Sequence, residues 1–190
     1  MLNFLINLIG GFWQLKDLCN NHSNKYIRYL LKRIYMNYVS REGSYIAYSS
    51  RFKGPAIFPH GMKGIFISRS ATIGKNAIIF HQVTIGSNAL PDSSGIGAPT
   101  IGNNVYIGAG VKIIGNVNVG NNCRIGANAV VVTDVPDNCV VVSEKPIIIQ
   151  KDNLINRFYS KHEGLWIYYE DGKPKQVKDP DLIVHLNNKL

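Results

Sequence analysis

The stretches ATIGKNAIIFHQVTIGS (71–87) and PTIGNNVYIGAGVKIIGNVNVGNNCRIGANAVVV (99–132) place an aliphatic side chain at every sixth residue. Ile67, Ile73, Ile79 and Ile85 fall six apart, and so do Ile101, Ile107, Ile113, Val119, Ile125 and Val131. Counting back adds Ile46, Phe52 and Phe58. Neither the period of a helix nor the alternation of a lone strand produces this spacing. It marks a solenoid, in which short repeats bury a core only by stacking.

Each hexad has its own grammar. Two positions before the anchor stands a small or β-branched residue, as in Ala71, Ala77, Val83, Val105, Val111, Val117, Cys123 and Ala129. Alternate strand positions share a face, so both residues point inward. Three positions after the anchor come Asn76, Asn88, Asn104, Asn116, Asn122 and Asn128, with Gly110 and Asp134 in equivalent slots. Such residues enter left-handed backbone at low cost, as a sharp corner demands. A hexad therefore reads as a short strand plus a corner, three hexads close a triangular coil, and about five coils fit. Two insertions interrupt the count. Phe58 to Ile67 spans nine residues and Ile85 to Ile101 spans sixteen. The second predicts a protruding loop, Gly86 to Ala98, and insertions on a solenoid gather on a functional face.

The solenoid accounts for residues 43–150 and leaves segments 1–42 and 151–190 as flanks. At 190 residues, with 45% hydrophobic and 17% charged content, the chain has the composition of a folded protein. Its three cysteines, Cys19, Cys123 and Cys139, match no zinc or redox spacing and read as reduced thiols of a cytoplasmic protein, with Cys123 in the core. Of the net charge of +9, residues 1–42 carry six Lys/Arg against two acids, and residues 43–150 carry eight against four. A basic solenoid favours an anionic ligand. No aromatic-plus-basic nucleic-acid module is present. The opening MLNFLINLIGGFWQL is too short and too broken to span a bilayer, and it lacks the basic start and cleavage site of a signal peptide. Residues 1–42 predict two helices. The second, from Lys25 to Val39, puts Ile27, Leu30, Leu31, Ile34 and Tyr38 on one side. One reading is a cap on the solenoid end or on a neighbouring subunit. The other is a basic amphipathic surface resting on anionic lipid at the inner face of the membrane. Residues 151–190 predict a C-terminal hairpin extension turning at Asp171-Gly172.

Two of the five histidines, His60 and His81, lie in the solenoid. Each stands two positions past an anchor. Their separation of 21 residues equals one coil plus the three-residue insertion, which puts both on the same corner of successive coils. The corner slots above them hold Ala109 and Ala127. An imidazole pair beside a bare edge and a loop suits a long ligand. Two ligands fall short of a zinc site, and no metal is expected.

The repeats Ala-Thr-Ile-Gly-Lys-Asn, Pro-Thr-Ile-Gly-Asn-Asn, Val-Tyr-Ile-Gly-Ala-Gly and Cys-Arg-Ile-Gly-Ala-Asn resemble the hexapeptide-repeat acyltransferases. His60-Gly61, Gly64 to Ile67, Gln82 to Gly86 and Val130 to Val142 resemble most the serine acetyltransferase branch, which includes acetyltransferases of bacterial surface polysaccharides. The resemblance implies a mainly β fold, a left-handed parallel β-helix, an exception to the right-handed crossover rule. It further implies a homotrimer with active sites between neighbouring helices and acetyl-CoA along an edge. His60 matches the histidine that deprotonates the acceptor hydroxyl, a role that suits imidazole. Ala109-Gly110 and Ala127-Asn128 match the small residues lying against the pantetheine arm, and Lys145 stands in for the basic residue that meets CoA phosphate. Three slots depart from the pattern. Tyr45 occupies that of the aspartate orienting the base, Pro59 that of an acid, and Ala98 that of a serine-binding histidine. These departures favour a saccharide hydroxyl as acceptor, with His81 as a second contact at the catalytic site. The alternatives are a serine O-acetyltransferase of cysteine biosynthesis and a non-catalytic scaffold.

Overall fold

The computed structural model describes residues 2–144, 149–150 and 156–189. They divide into two units, Met1–Lys145 and Pro146–Leu190. The first unit is a left-handed parallel β-helix of five coils with helices at its N-terminus.

Its first face stacks Tyr45–Ile46, Phe66–Ile67, Thr84–Gly86, Lys112–Ile114 and Val130–Val131 in parallel register. The second stacks Arg51–Phe52, Thr72–Ile73, Thr100–Ile101 and Asn118–Val119, and Val135 bridges to Val119. The third stacks Ile78–Ile79, Tyr106–Ile107, Arg124–Ile125 and Val140–Val141, and Ile57 bridges to Ile78. The hexad anchors lie opposite one another, as Ile67, Ile85, Ile113 and Val131 do on the first face. Ile67, Ile73, Ile79, Ile85, Ile107, Ile113 and Ile125 are fully buried, each contributing about 2–3 kcal/mol of apolar burial. Cys123 lies among them.

The corners obey two rules rather than one. After the second face Asn76, Asn104, Asn122 and Asn138 all have φ between 55° and 59°. After the third face Gln82, Gly110 and Asn128 do the same at 59°, 73° and 59°. Asn88, Asn116 and Asp134, expected to be left-handed, are not. Asn88 roots the inserted loop, Gly115 takes the positive φ in place of Asn116, and Asp134 stands where the chain shortens to reach Val135. The asparagine corners also form an amide ladder. Asn76 donates to Asn104 at 2.9 Å, Asn104 to Asn122 at 3.0 Å and Asn122 to Asn138 at 3.2 Å.

At the N-terminus stand three helices rather than two: α1 (Leu2–Leu8), α2 (Phe12–Asn21) and α3 (Lys25–Arg41). Gly10 and Gly11, at φ 100° and 92°, separate the first two. Trp13 of α2 stacks on Phe58 at 5.8 Å and meets Phe52 edge-on at 4.9 Å, so α2 covers the open end of the first coil. Lys16 is buried beside them, its Nζ donating to the carbonyls of Ala47, Tyr48 and Ser50 at 3.1, 2.6 and 2.7 Å. α3 buries Leu31, Tyr35 and Val39, four residues apart, whereas Ile27 and Leu30 face solvent. The stacking of Tyr35 on Phe12 at 5.4 Å turns the buried stripe away from the expected one. No helix among the described residues is long and apolar enough to cross a membrane.

The second unit holds more than a hairpin. Tyr159–His162, Leu165–Glu170 and Lys173–Gln176 form an antiparallel sheet, followed by α4 (Pro180–Lys189). Both turns, Glu163-Gly164 and Asp171-Gly172, have two consecutive positive φ values, the geometry that suits the twist of paired strands. Trp166, Val177 and Leu186 form its buried cluster.

Candidate active site

The three-residue insertion after Phe58 builds the site. Up to Phe58 the chain runs 21 residues behind the next coil, since the Ile57 amide bonds the Ala77 carbonyl. From Lys63 onward the offset is 18, since the Gln82 amide bonds the Lys63 carbonyl at 2.9 Å. The extra residues are therefore those between Pro59 and Lys63. This corrects the simple register argument. The backbone slot beneath His81 belongs to Lys63, and the column runs Lys63, His81, Ala109 and Ala127, joined where Gly110 N meets His81 O at 3.1 Å and Asn128 N meets Ala109 O at 2.8 Å. His60 sits on the bulge beside that column.

The rings meet nonetheless. Nδ1 of His60 lies 3.1 Å from Nδ1 of His81, and the ring centroids are 5.2 Å apart. Phe80 meets the His60 ring at a right angle from 5.2 Å and packs on Tyr106 at 5.1 Å, giving the imidazole an aromatic wall. His60 is exposed and His81 half-buried. The bulge is pinned from below by Ser44, a buried hydroxyl that donates to the Met62 carbonyl and accepts from the Ile65 amide at 3.3 Å.

Above His81 the edge stays bare. A β-carbon on Gly108 would come within 2.8 Å of the Ala127 amide, so only glycine lets these coils close there. Gly110, unlike Gly108, is left-handed, with φ 73°. Lys112, which no spacing in the sequence singles out, reaches back over this corner and donates to the carbonyls of Gln82 at 2.7 Å and Gly110 at 3.0 Å. With exposed Lys63 it places two cations along the edge, where an anionic ligand gains. Ala109, Gly110, Ala127 and Asn128 thus form one continuous strip with His81, whereas Lys145 lies outside the described residues. Tyr45 pairs with Phe66 on the first face, and Ala98 precedes the second-face strand at Thr100. The inserted loop folds back on the coil, with Asn88 and Gly97 exchanging backbone hydrogen bonds and the Gly95 carbonyl accepting from Asn116. A cleft of about 750 Å³ between α2 and the first coil, lined by Trp13, Lys16, Arg51 and Lys53 among others, contains neither imidazole. Among the described residues no three potential metal ligands cluster.

With this geometry in hand, the chain can be set beside known proteins. Residues 98–133 match the bacterial transferase hexapeptide (six repeats) family. That segment carries the hexapeptide repeat, and the relatives that resemble the chain are serine acetyltransferases. A serine acetyltransferase of Synechococcus elongatus is 46% identical over 90 residues, covering 47% of this chain and 36% of its own. One from Helicobacter pylori is 42% identical over 93 residues, covering 49% and 53%. Among solved structures, serine acetyltransferase isoform 3 of Entamoeba histolytica in complex with cysteine superposes with a TM-score of 0.59 at 28% identity, over 74% of this chain and 50% of the other. Neisseria gonorrhoeae serine acetyltransferase in complex with serine does so with a TM-score of 0.56 at 30% identity, over 71% and 55%. The chain spans about half the length of most of these relatives, and about a third of the Synechococcus one.

Proposed function

We propose that the chain is an acetyl-CoA-dependent O-acetyltransferase in which His60 is the general base. The observation that carries the reading is one exposed imidazole, walled by an aromatic ring, at the foot of a strip of small residues edged by lysines. The strip accommodates the extended pantetheine arm, since any larger side chain at Ala109 or Ala127 would stand in its path. His60 takes the proton of an acceptor hydroxyl as its oxygen attacks the thioester carbonyl carbon. The carbon–sulfur bond breaks, the thiolate recovers the proton from His60, and the products are an acetyl ester and free CoA. No acyl-enzyme is required. Exposed Phe66 of the first face and Ile57 and Tyr106 of the third flank the histidine corner. They suit a second copy of the chain, which supports a homotrimer with shared sites.

The names of the relatives favour L-serine as acceptor over the saccharide suggested by the sequence. One observation favours the saccharide: Ala98 brings a methyl where the resemblance places a serine-binding imidazole. Thiol release from acetyl-CoA, measured with L-serine and with a panel of sugars and nucleotide sugars, separates the two. His60→Ala should lower the rate on the order of 10²–10⁴-fold with either acceptor. Undiminished turnover in that variant removes His60 from the mechanism.

A further inference from the structure

The imidazole pair carries one step more, which rests on the transferase reading above. Two Nδ1 atoms 3.1 Å apart attract only if one bears a proton and the other a lone pair. A neutral imidazole has a single N–H, so the contact fixes the tautomer of both rings. If His81 were the donor, neutral His60 would carry its proton on Nε2 and that nitrogen could accept nothing. If His60 is the donor, its Nε2 lone pair is free on an exposed ring. Among the described residues no other side chain hydrogen-bonds His60. His81 is the better held of the two, half-buried, with its carbonyl bonded to Gly110.

We propose that His81 is a positioning residue: its Nδ1 accepts the Nδ1–H of His60 and so keeps the Nε2 of His60 unprotonated and aimed at the acceptor hydroxyl. A second imidazole thereby does what the resemblance assigns to an aspartate in the slot that Tyr45 occupies. His81 exchanges no proton itself. The hydroxyl proton goes to Nε2 of His60, the thiolate takes it back, and His60 returns to its Nδ1–H form.

Nitrogen-15 NMR of the full chain labelled at its five histidines reads the tautomer without any mutation. The resonance lost in His60→Ala should show a protonated Nδ1 and a bare Nε2. A proton on Nε2 overturns the proposal. In kinetics, His81→Ala should lower kcat about tenfold, the loss of one neutral hydrogen bond, with KM for acetyl-CoA little changed. His81→Asn, whose Oδ1 stands near the place of Nδ1, should recover most of it. If His60→Ala is inactive while His81→Ala turns over like the parent chain, the base stands and the positioning role falls. If His60→Ala is itself fully active, the transferase reading of His60 falls first.

Discussion

Lys16→Met tests the polar knot that fastens α2 to the first coil. Burial lowers the pKa of this ammonium from 10.5 to about 8, against a smaller opposing pull from Cys19. Between those two values the unfolded chain holds more protons than the folded one, so the contribution of Lys16 to stability rises with pH. Over the whole window, at about 1.4 kcal/mol per pH unit, it amounts to about 3 kcal/mol. At pH 7 the cost of the buried charge is present in full, and hydrogen bonds offset it. The Tyr48 carbonyl also accepts from Asn20, and the Ala47 carbonyl from Ser50, which leaves the Ser50 carbonyl most dependent on Lys16. Orphaning one buried carbonyl costs about 1–3 kcal/mol. The two effects nearly cancel, so Lys16→Met should change stability by less than about 2 kcal/mol at pH 7. Well above pH 10.5 the charge is gone from both states, and as that limit is approached the variant should become the less stable by about 1–3 kcal/mol. Burial also pushes the Cys19 thiol up to about 11, so that stability falls above pH 9 in both proteins, the variant lacking only the smaller lowering pull that Lys16 adds to that of Lys32. Urea unfolding followed by tryptophan fluorescence at pH 7, 8.5 and 10 measures the difference. Parallel pH profiles for the two proteins would refute the argument.

Three further outcomes are expected. Ile107→Ala removes a fully buried anchor and should cost about 2–5 kcal/mol in denaturant unfolding. Asn104→Ala breaks two rungs of the amide ladder and forces alanine into φ 56°, for a loss of about 2 kcal/mol, whereas Asn104→Gly should recover the backbone share. Ala127→Trp, on an exposed corner, should raise KM for acetyl-CoA at least about tenfold while leaving the unfolding midpoint in place, as kinetics and thermal melts of one preparation would show.

The winding was legible because its cause is local and repeated. A buried aliphatic every sixth residue with a tolerant corner between admits few architectures, and the anchors from Ile46 to Val131 fell where counting put them. The count stopped at Val131 because the chain then shortens, reaching Val135 after four residues, and no hexad announces that. The histidine contact follows from the spacing, but its backbone cause does not. Spacing alone cannot say whether an insertion lies before or after a given residue, and here His60 is part of it. Lys16 and Lys112 leave no trace in the sequence because their partners are main-chain carbonyls. The added strand Tyr159–His162 and α4 of the C-terminal unit are signalled by Glu163-Gly164 and by Asp179, whose Oδ1 accepts from the Asp181 and Leu182 amides, but the segment is too short for periodicity to decide.

The bulge between Pro59 and Lys63 acts as a shim. It separates the placement of one imidazole from the arithmetic of the stack, so the scaffold can gain or shed coils at its far end while the His60 ring keeps its seat against His81. Changing the length of that short detour would instead move the His60 ring relative to His81.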